Sequence, residues 1–127
     1  MHHLAIEWVD KAEGDLATAR RELRARKAPN YDAVCFHAQQ AAEKYLKAYL
    51  QDQNQSPPRV HDLIELLALC LPINPAFGPL EGDLKSLNAY AVQFRYPGQN
   101  AEKYDAMQAV KSALNVCGQL RNFLKLD

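Results

Sequence analysis

The sequence predicts an all-α protein, an antiparallel up-and-down four-helix bundle with one short additional helix. Apolar residues recur every three or four positions through most of the chain, as they do on the buried face of a helix. No segment alternates apolar and polar residues with the β-branched enrichment of a strand. Helices of this kind with short connections pack most simply around a common core. The 127 residues are enough for one such domain, residues 1–127.

The first helix is predicted from Leu4 to about Lys27. Its apolar positions are Ala5, Val9, Ala12, Leu16, Ala19 and Leu23. The stretch from Arg20 to Lys27 is strongly basic, which complements the negative end of a helix dipole. A phosphate-binding patch is the alternative explanation for these charges.

The central helix is predicted from Tyr31 to Leu50, with Asn30 or Asp32 as its cap. On a helical wheel, one continuous arc is predicted to face the core: Val34, Ala38, Ala41, Ala42, Tyr45, Ala48 and Tyr49. The opposite side is predicted to expose Gln40, Glu43, Lys44 and Lys47, with His37 at its boundary. Phe36 falls among these polar residues. It is either an isolated exposed aromatic or part of an interface with a second subunit.

Three more helices follow a polar, proline-containing loop. The short third helix starts at His61-Asp62, ends at Leu71-Pro72 and should be largely buried, since nearly all its residues are apolar. The fourth has Pro79 in its first turn and stops at Pro97-Gly98. Asn100 is then placed to cap the last helix.

Charge and cysteine content exclude several classes of protein. The 15 basic and 15 acidic residues cancel, so no global field favours nucleic acid or a membrane surface, and no apolar run approaches membrane-spanning length. No signal peptide opens the chain, which predicts a cytoplasmic protein. Cys35, Cys70 and Cys117 occupy apolar helix positions and are expected to be buried, free thiols.

Few residues point to a particular chemistry. There is no glycine-rich phosphate loop, paired cysteine motif or His-Glu-x-x-His zinc motif, so neither a metal nor another cofactor is expected. The segment from Arg95 to Asn100 joins the fourth and fifth helices. A guanidinium beside the free amides of a helix N-terminus can bind phosphate, although Arg95 can equally cap its own helix.

Two other polar groups are candidates of lower specificity. One is the row His37, Gln40 and Lys44 on the central helix, for which a solvated face is the alternative. The other is His61-Asp62, whose expected role is to cap the buried third helix.

Three segments together resemble the HEPN domain family over nearly the whole chain. They are Phe36 to Ala48, with the sequence FHAQQAAEKYLKA, then His61-Asp62-Leu63, then Arg95-Tyr96-Pro97-Gly98. The resemblance implies an up-and-down bundle with a short extra helix, commonly a homodimer. It also implies a prokaryotic protein often encoded beside a minimal nucleotidyltransferase, as a toxin–antitoxin or related module.

The resemblance further implies a ribonuclease motif, which this chain matches only in part. Many family members are metal-independent ribonucleases with an arginine, four to six residues and a histidine, in two copies that face each other across the dimer. Arg95 matches the arginine, but Asn100, Ala101 and Glu102 occupy the positions allowed for the histidine. An asparagine amide can orient a phosphate but cannot transfer a proton as histidine does. Efficient cleavage by the family mechanism is therefore not expected.

The expected function is to bind a nucleotide or RNA phosphate and to act with a minimal nucleotidyltransferase. The expected groove lies where Arg95 and Asn100 meet the polar side of the central helix, with Arg95 holding the phosphate and Asn100 orienting it. The supporting residues would be Glu43, Lys44, His37 and Gln40. The alternatives are a ribonuclease toxin that uses Arg95 with another base, and a purely structural interaction module.

Tyr104 is a candidate for modification. Toxin-type family members carry a tyrosine just after the motif histidine that the partner enzyme can modify with nucleotides, and Tyr104 lies slightly further along the chain. A half-buried aromatic on the last helix is the alternative interpretation.

Overall fold

A computed structural model describes residues 1–127, and all of its regular secondary structure is helical. Its five α-helices are α1 His3–Leu23, α2 Tyr31–Asp52, α3 Leu63–Cys70, α4 Glu81–Gln93 and α5 Lys103–Phe123. A 3₁₀ helix, Pro75–Leu80, connects α3 to α4. The predicted all-α bundle is confirmed, with α3 as its short additional helix. None of the helices combines the length and the apolar character that crossing a membrane requires.

Helix α2 lies at the centre of the bundle and packs against α1, α3, α4 and α5. Its most extensive contact is with α1. Ala38, Ala41 and Ala42 have no exposed surface, and their small side chains let neighbouring helices approach closely. The hydroxyl of Tyr45, also fully buried, bonds to Glu13 of α1 and accepts a hydrogen bond from Arg121 of α5 at 3.1 Å. A single α2 side chain thus links three helices.

Two residues predicted to face solvent from α2 are buried. Glu43 is 3% exposed and Lys47 is 5% exposed, which corrects the assignment of the wheel. Lys47 Nζ donates to Glu43 Oε2 at 3.1 Å and lies 5.5 Å from the centre of the Trp8 ring. The pair is buried because α2 has neighbours on almost every side, and each charge is offset by the other.

The helix ends differ from the predicted ones at several places. α1 ends at Leu23, so Arg24 and Lys27 lie in the following turn. Asn30 caps α2 as expected, since its Oδ1 accepts from the amide of Ala33 at 3.0 Å. Pro79 belongs to the 3₁₀ helix and not to α4.

Asn100 does not cap the last helix, contrary to the prediction. Glu102 is the N-cap of α5 and forms a reciprocal capping box with Asp105. Asp32, the other proposed cap of α2, instead accepts from the amide of Ala101 at 2.7 Å. The chain before α5 is therefore held against the start of α2, and Asn100 stays exposed.

The three cysteines are buried and free, as predicted. Burial raises the pKa of the Cys35 and Cys70 thiols to about 12, and it raises the pKa of Cys117 as well. They act as small apolar residues of the core.

The prediction that α3 is largely buried is correct for only one side of the helix, because Leu69 on the other side is 42% exposed.

Candidate functional site

A cavity of about 410 Å³ opens where α2, the start of α3 and the end of α4 meet. We call it the Arg95 groove. Its polar lining residues are Gln39, Gln40, His61, Asp62, Asn88 and Arg95. The groove therefore joins one residue of the predicted α2 row, the residues that precede α3, and the predicted phosphate-binding arginine.

The buried carboxylate of Glu43 lies beside these lining residues and is a centre of hydrogen bonding. It accepts from Lys47 Nζ at 3.1 Å and from Gln40 Nε2 at 3.3 Å. Its two oxygens lie 3.1 and 3.2 Å from Nδ1 of His61. Glu43 itself does not line the groove, and it contacts the lining only through Gln40 and His61.

Hydrogen bonds fix both the ring and the backbone of His61, but most of its side chain is exposed. Glu43 bonds its ring, and Gln39 Nε2 donates to its backbone carbonyl at 2.9 Å. The side chain is nevertheless 78% exposed. A carboxylate only accepts hydrogen bonds, so Nδ1 of His61 is the donor in this contact.

Asp62 and Asn88 fix the wall of the groove. Asp62 Oδ1 accepts from the amides of Ile64 and Glu65 at 2.8 and 3.2 Å, which confirms the predicted capping position. Asn88 Nδ2 donates to the same oxygen at 2.9 Å, while Asn88 Oδ1 accepts from the amide of Leu63. The hydrogen bond from Asn88, together with the two amide bonds, lowers the pKa of Asp62. α4 is thereby tied to the N-terminus of α3.

Arg95 lies two residues beyond α4, and its side chain is exposed. It takes part in none of the salt bridges of the molecule. Two exposed apolar side chains, Phe36 and Val92, also line the groove, with 49% and 60% of their surfaces accessible. Tyr96, next in the chain, is 62% exposed.

The structure does not bring Asn100 into the Arg95 groove. Gly98 has a φ of +86°, in the left-handed region that favours glycine, and turns the chain between the two residues. Asn100 instead lines a separate shallow cavity with Pro29 and Asp32. Within one chain, the expected pairing of Arg95 with Asn100 is therefore absent.

His37 and Lys44 also lie outside the groove. Both bond to Asp15 of α1, and the distance from His37 Nδ1 to Asp15 Oδ1 is 2.8 Å. Their geometry joins α1 to α2. Of the predicted row on α2, only Gln40 lines the cavity.

Tyr104 is 68% exposed in the first turn of α5, so the half-buried alternative is wrong. It does not line the groove. No three His, Cys, Asp or Glu side chains converge as the ligands of a metal ion would.

The sequence pattern contained no sign of the His61–Glu43 contact. The two residues are 18 positions apart, on different elements and across an irregular loop. The His61-Asp62 pair at a helix start is visible in the sequence, but capping of α3 explains that pair fully and does not indicate a contact with Glu43.

Fold and groove together define a five-helix, all-α domain with a polar cavity bordered by an unpaired arginine. The model of the HEPN domain matches residues 5–123, and the chain therefore belongs to the HEPN domain family. No curated protein matches the sequence.

Among the solved structures that resemble this chain, two each cover more than nine-tenths of it. One is the crystal structure of TT1696 from Thermus thermophilus, with a TM-score of 0.79 and 27% identity over 96% of this chain and 98% of that one. The other is ST0689, an archaeal HEPN homologue, with a TM-score of 0.74 and 25% identity over 93% of this chain and 95% of that one.

Proposed function

We propose that this HEPN domain binds a nucleotide or RNA phosphate in the Arg95 groove. The observation that carries the proposal is an exposed arginine without an ion-pair partner, at a cavity lined by amides, a histidine and the carboxylate of Asp62. A guanidinium presents a planar set of N–H donors that suits phosphate oxygens. Tyr96 beside it offers an exposed ring on which a base can stack.

Gln40 adds a hydrogen-bonding group to the groove. Its Nε2 is used by Gln39 and Glu43, at 2.9 and 3.3 Å, while its Oε1 has no partner in the structure. That oxygen can accept from a base amino group or a ribose hydroxyl. The groove thus presents a donor for phosphate and an acceptor for the rest of a nucleotide.

The positive charge in the groove suits one phosphate group of a nucleotide or of an RNA. Asp62 is a negative group on its wall, but three donors already bond one of its oxygens. The charge of Glu43 is offset by Lys47. Arg95 is therefore the principal site for an anion, in keeping with a chain whose net charge is zero.

Binding of a 2′-O-methyl RNA of about ten nucleotides tests the proposal, since single-domain sites cover this length. Charge-assisted hydrogen bonds contribute about 1.5–3 kcal/mol, so Arg95→Ala should raise Kd about tenfold or more. It should also reduce the slope of log Kd against log salt by about 0.7, as the loss of one phosphate contact on single strands would. Arg20→Ala is the matched control, because Arg20 is exposed on α1 and lines none of the described cavities. Equal Kd values for the two variants would reject the site.

The domain is further proposed to act with a minimal nucleotidyltransferase in a toxin–antitoxin-like module. The family resemblance supports this partner, and the exposed hydroxyl of Tyr104 is accessible to a modifying enzyme. Mass spectrometry after co-expression with a nucleotidyltransferase encoded beside the gene should find a nucleotide adduct on wild type and none on Tyr104→Phe. Asn100 contributes only to a ligand that extends past the turn at Gly98.

A structural interaction module is the competing function. In that case the domain would co-purify with its partner, and Arg95→Ala would leave the complex unchanged. Neither the wild-type domain nor Arg95→Ala would bind RNA.

A further inference from the structure

We propose that a second cavity docks an acidic peptide segment with a large apolar side chain, contributed by a partner protein. This cavity, which we call the basic cavity, has a volume of about 760 Å³. It lies where the end of α1, the turn before α2 and the start of α5 meet. The inference does not depend on phosphate binding at Arg95, because no residue lines both the basic cavity and the Arg95 groove.

Every charged side chain that lines the basic cavity is positive. These side chains are Arg24, Arg26 and Lys103; all three are exposed, and none takes part in a salt bridge. The adjacent acids Glu22 and Glu102 do not line the cavity, and each accepts a hydrogen bond from a backbone amide. Three unpaired cations at one cavity, in a chain without net charge, favour a ligand that carries several negative charges.

The rest of the lining is apolar, which favours a ligand that also carries an apolar group. Leu23 and Tyr31 are half-buried and pack against a small core cluster shared by α1, α2 and α5. Met107 is 49% exposed, and its flexible side chain adapts to apolar groups of different shapes. A free phosphate ion would leave this surface in water, whereas a leucine or phenylalanine of a peptide buries it.

The lining suits a peptide better than a nucleic acid strand. Single strands are bound largely through aromatic faces on which bases stack. Tyr31 is the one aromatic residue of this lining, and it packs against the core cluster. The side-chain amides that line the Arg95 groove, which can bond a base, have no counterpart in the basic cavity.

Backbone contacts hold the walls of the basic cavity in place. Glu22 Oε2 accepts from the amide of Asn30 at 3.3 Å, which joins the end of α1 to the cap of α2. Between them Ala28 has a φ of +45°, a conformation that persists in a residue with a Cβ where its surroundings fix it. The contact from Asp32 to the amide of Ala101 keeps the start of α5 beside the start of α2. A preformed cavity of this kind loses little conformational entropy when a partner binds.

The test is binding of a fluorescent peptide of repeated Glu-Leu-Glu-Glu units to the full chain, followed by anisotropy. A length of about twelve residues spans the anchor positions of a docked segment. The variant is Arg26→Glu combined with Lys103→Glu, since both side chains are exposed and neither takes part in a salt bridge. Reversing both charges should raise Kd for the peptide about tenfold or more, with the circular dichroism of wild type retained.

The matched control is Arg59→Glu combined with Lys125→Glu, which changes the net charge by the same amount. Both side chains are exposed, and they line neither the basic cavity nor the Arg95 groove. This variant should bind the peptide within about twofold of wild type, because exposed charges away from a site are screened by salt. Equal losses in the two double variants would reduce the effect to net charge and overturn the inference.

A second peptide, with serine in place of each leucine, tests the apolar part of the lining. It should bind about tenfold or more weakly, because it buries no large apolar side chain. Met107→Ala should reduce the difference between the two peptides, since it removes part of the surface that the leucine contacts. Equal binding of the two peptides, or a difference that Met107→Ala leaves unchanged, would overturn the proposed docking.

Other occupants of the cavity, and the proposed function, are tested separately. Arg95→Ala should bind the first peptide as wild type does, and Arg26→Glu with Lys103→Glu should bind the 2′-O-methyl RNA within about twofold of wild type. Loss of RNA binding without loss of peptide binding would assign the cavity to RNA. Loss of a dimer under the same condition, measured by light scattering, would assign it to a second copy of the chain. Either result, or a wild type that does not bind the first peptide, overturns the inference, and the last leaves phosphate binding at Arg95 intact.

Discussion

At the scale of single residues, the buried pair Glu43 and Lys47 is expected to have a large effect on stability. Removing one member leaves the other charge buried without its partner, which typically costs about 3–5 kcal/mol. We expect Glu43→Ala to lower the free energy of unfolding by this amount, measured by urea denaturation and followed by circular dichroism. Lys47 would then be left with only the face of Trp8, 5.5 Å from its Nζ.

A matched control exists on α4. Glu81 and Lys85 have the same spacing of four residues and a shorter distance, 2.8 Å, but their side chains are 51% and 63% exposed. An exposed pair of this type contributes about 0.3–0.5 kcal/mol, so Glu81→Ala should change stability little. Similar losses in the two variants would show that burial does not set the strength of the Glu43 pair.

The same residues show how far the sequence could predict the site. Arg95 and Gln40 were expected in the groove and line it, because an arginine after a helix and a polar position on an amphipathic helix are local properties. The burial of Glu43 was missed, since a helical wheel shows only one helix and not the neighbours that cover it. The contact of Glu43 with His61 depends on the path of the loop between α2 and α3, for which periodicity gives no information.

At the scale of elements, the start of α3 depends on Asp62. Its side chain bonds two free amides of the helix and the amide group of Asn88. Losing an N-cap of this kind costs about 1 kcal/mol, so we expect Asp62→Ala to lower stability by about that much at neutral pH. Urea denaturation is the appropriate measurement.

The pH dependence of the Asp62 effect has a definite sign. Its folded-state pKa is lowered from the usual 3.8, so the ionised form is the one that the fold stabilises. The stability contributed by Asp62 is fully present above the usual value and is lost as pH falls through the lowered one. The difference between wild type and Asp62→Ala should therefore shrink in acid. A difference that stays constant from neutral to strongly acidic pH would contradict this account.

The helices themselves were predicted more reliably than their ends. The apolar stripes of α1, α2 and α5 each run for five or more turns, and that repetition identifies a helix regardless of its surroundings. An end is set by one or two hydrogen bonds. The choice between Asn100 and Glu102 as the cap of α5 depended on Asp105 and on the contact from Asp32 to Ala101.

At the scale of the whole molecule, two large apolar side chains are exposed at the border of the groove. Phe36 and Val92 are 49% and 60% exposed there, on α2 and α4. Aromatic side chains are enriched at the centres of protein interfaces. We therefore expect a homodimer in which the two grooves face each other and Phe36 contacts the second copy, so that a ligand at one Arg95 lies near the other.

Light scattering over a dilution series tests this arrangement. Wild type should have twice the 14.3 kDa mass of one chain at high concentration. Truncating or charging a central interface residue typically costs about 2 kcal/mol or more, so Phe36→Asp should weaken dimerisation by about 30-fold or more. Leu114→Asp is the control, because Leu114 is 41% exposed on α5 and does not line the groove. The dimer of Leu114→Asp should persist. A wild type that is monomeric at every concentration, or a dimer that only Leu114→Asp loses, would contradict the facing arrangement. Each Arg95 would then bind its phosphate without a second groove beside it.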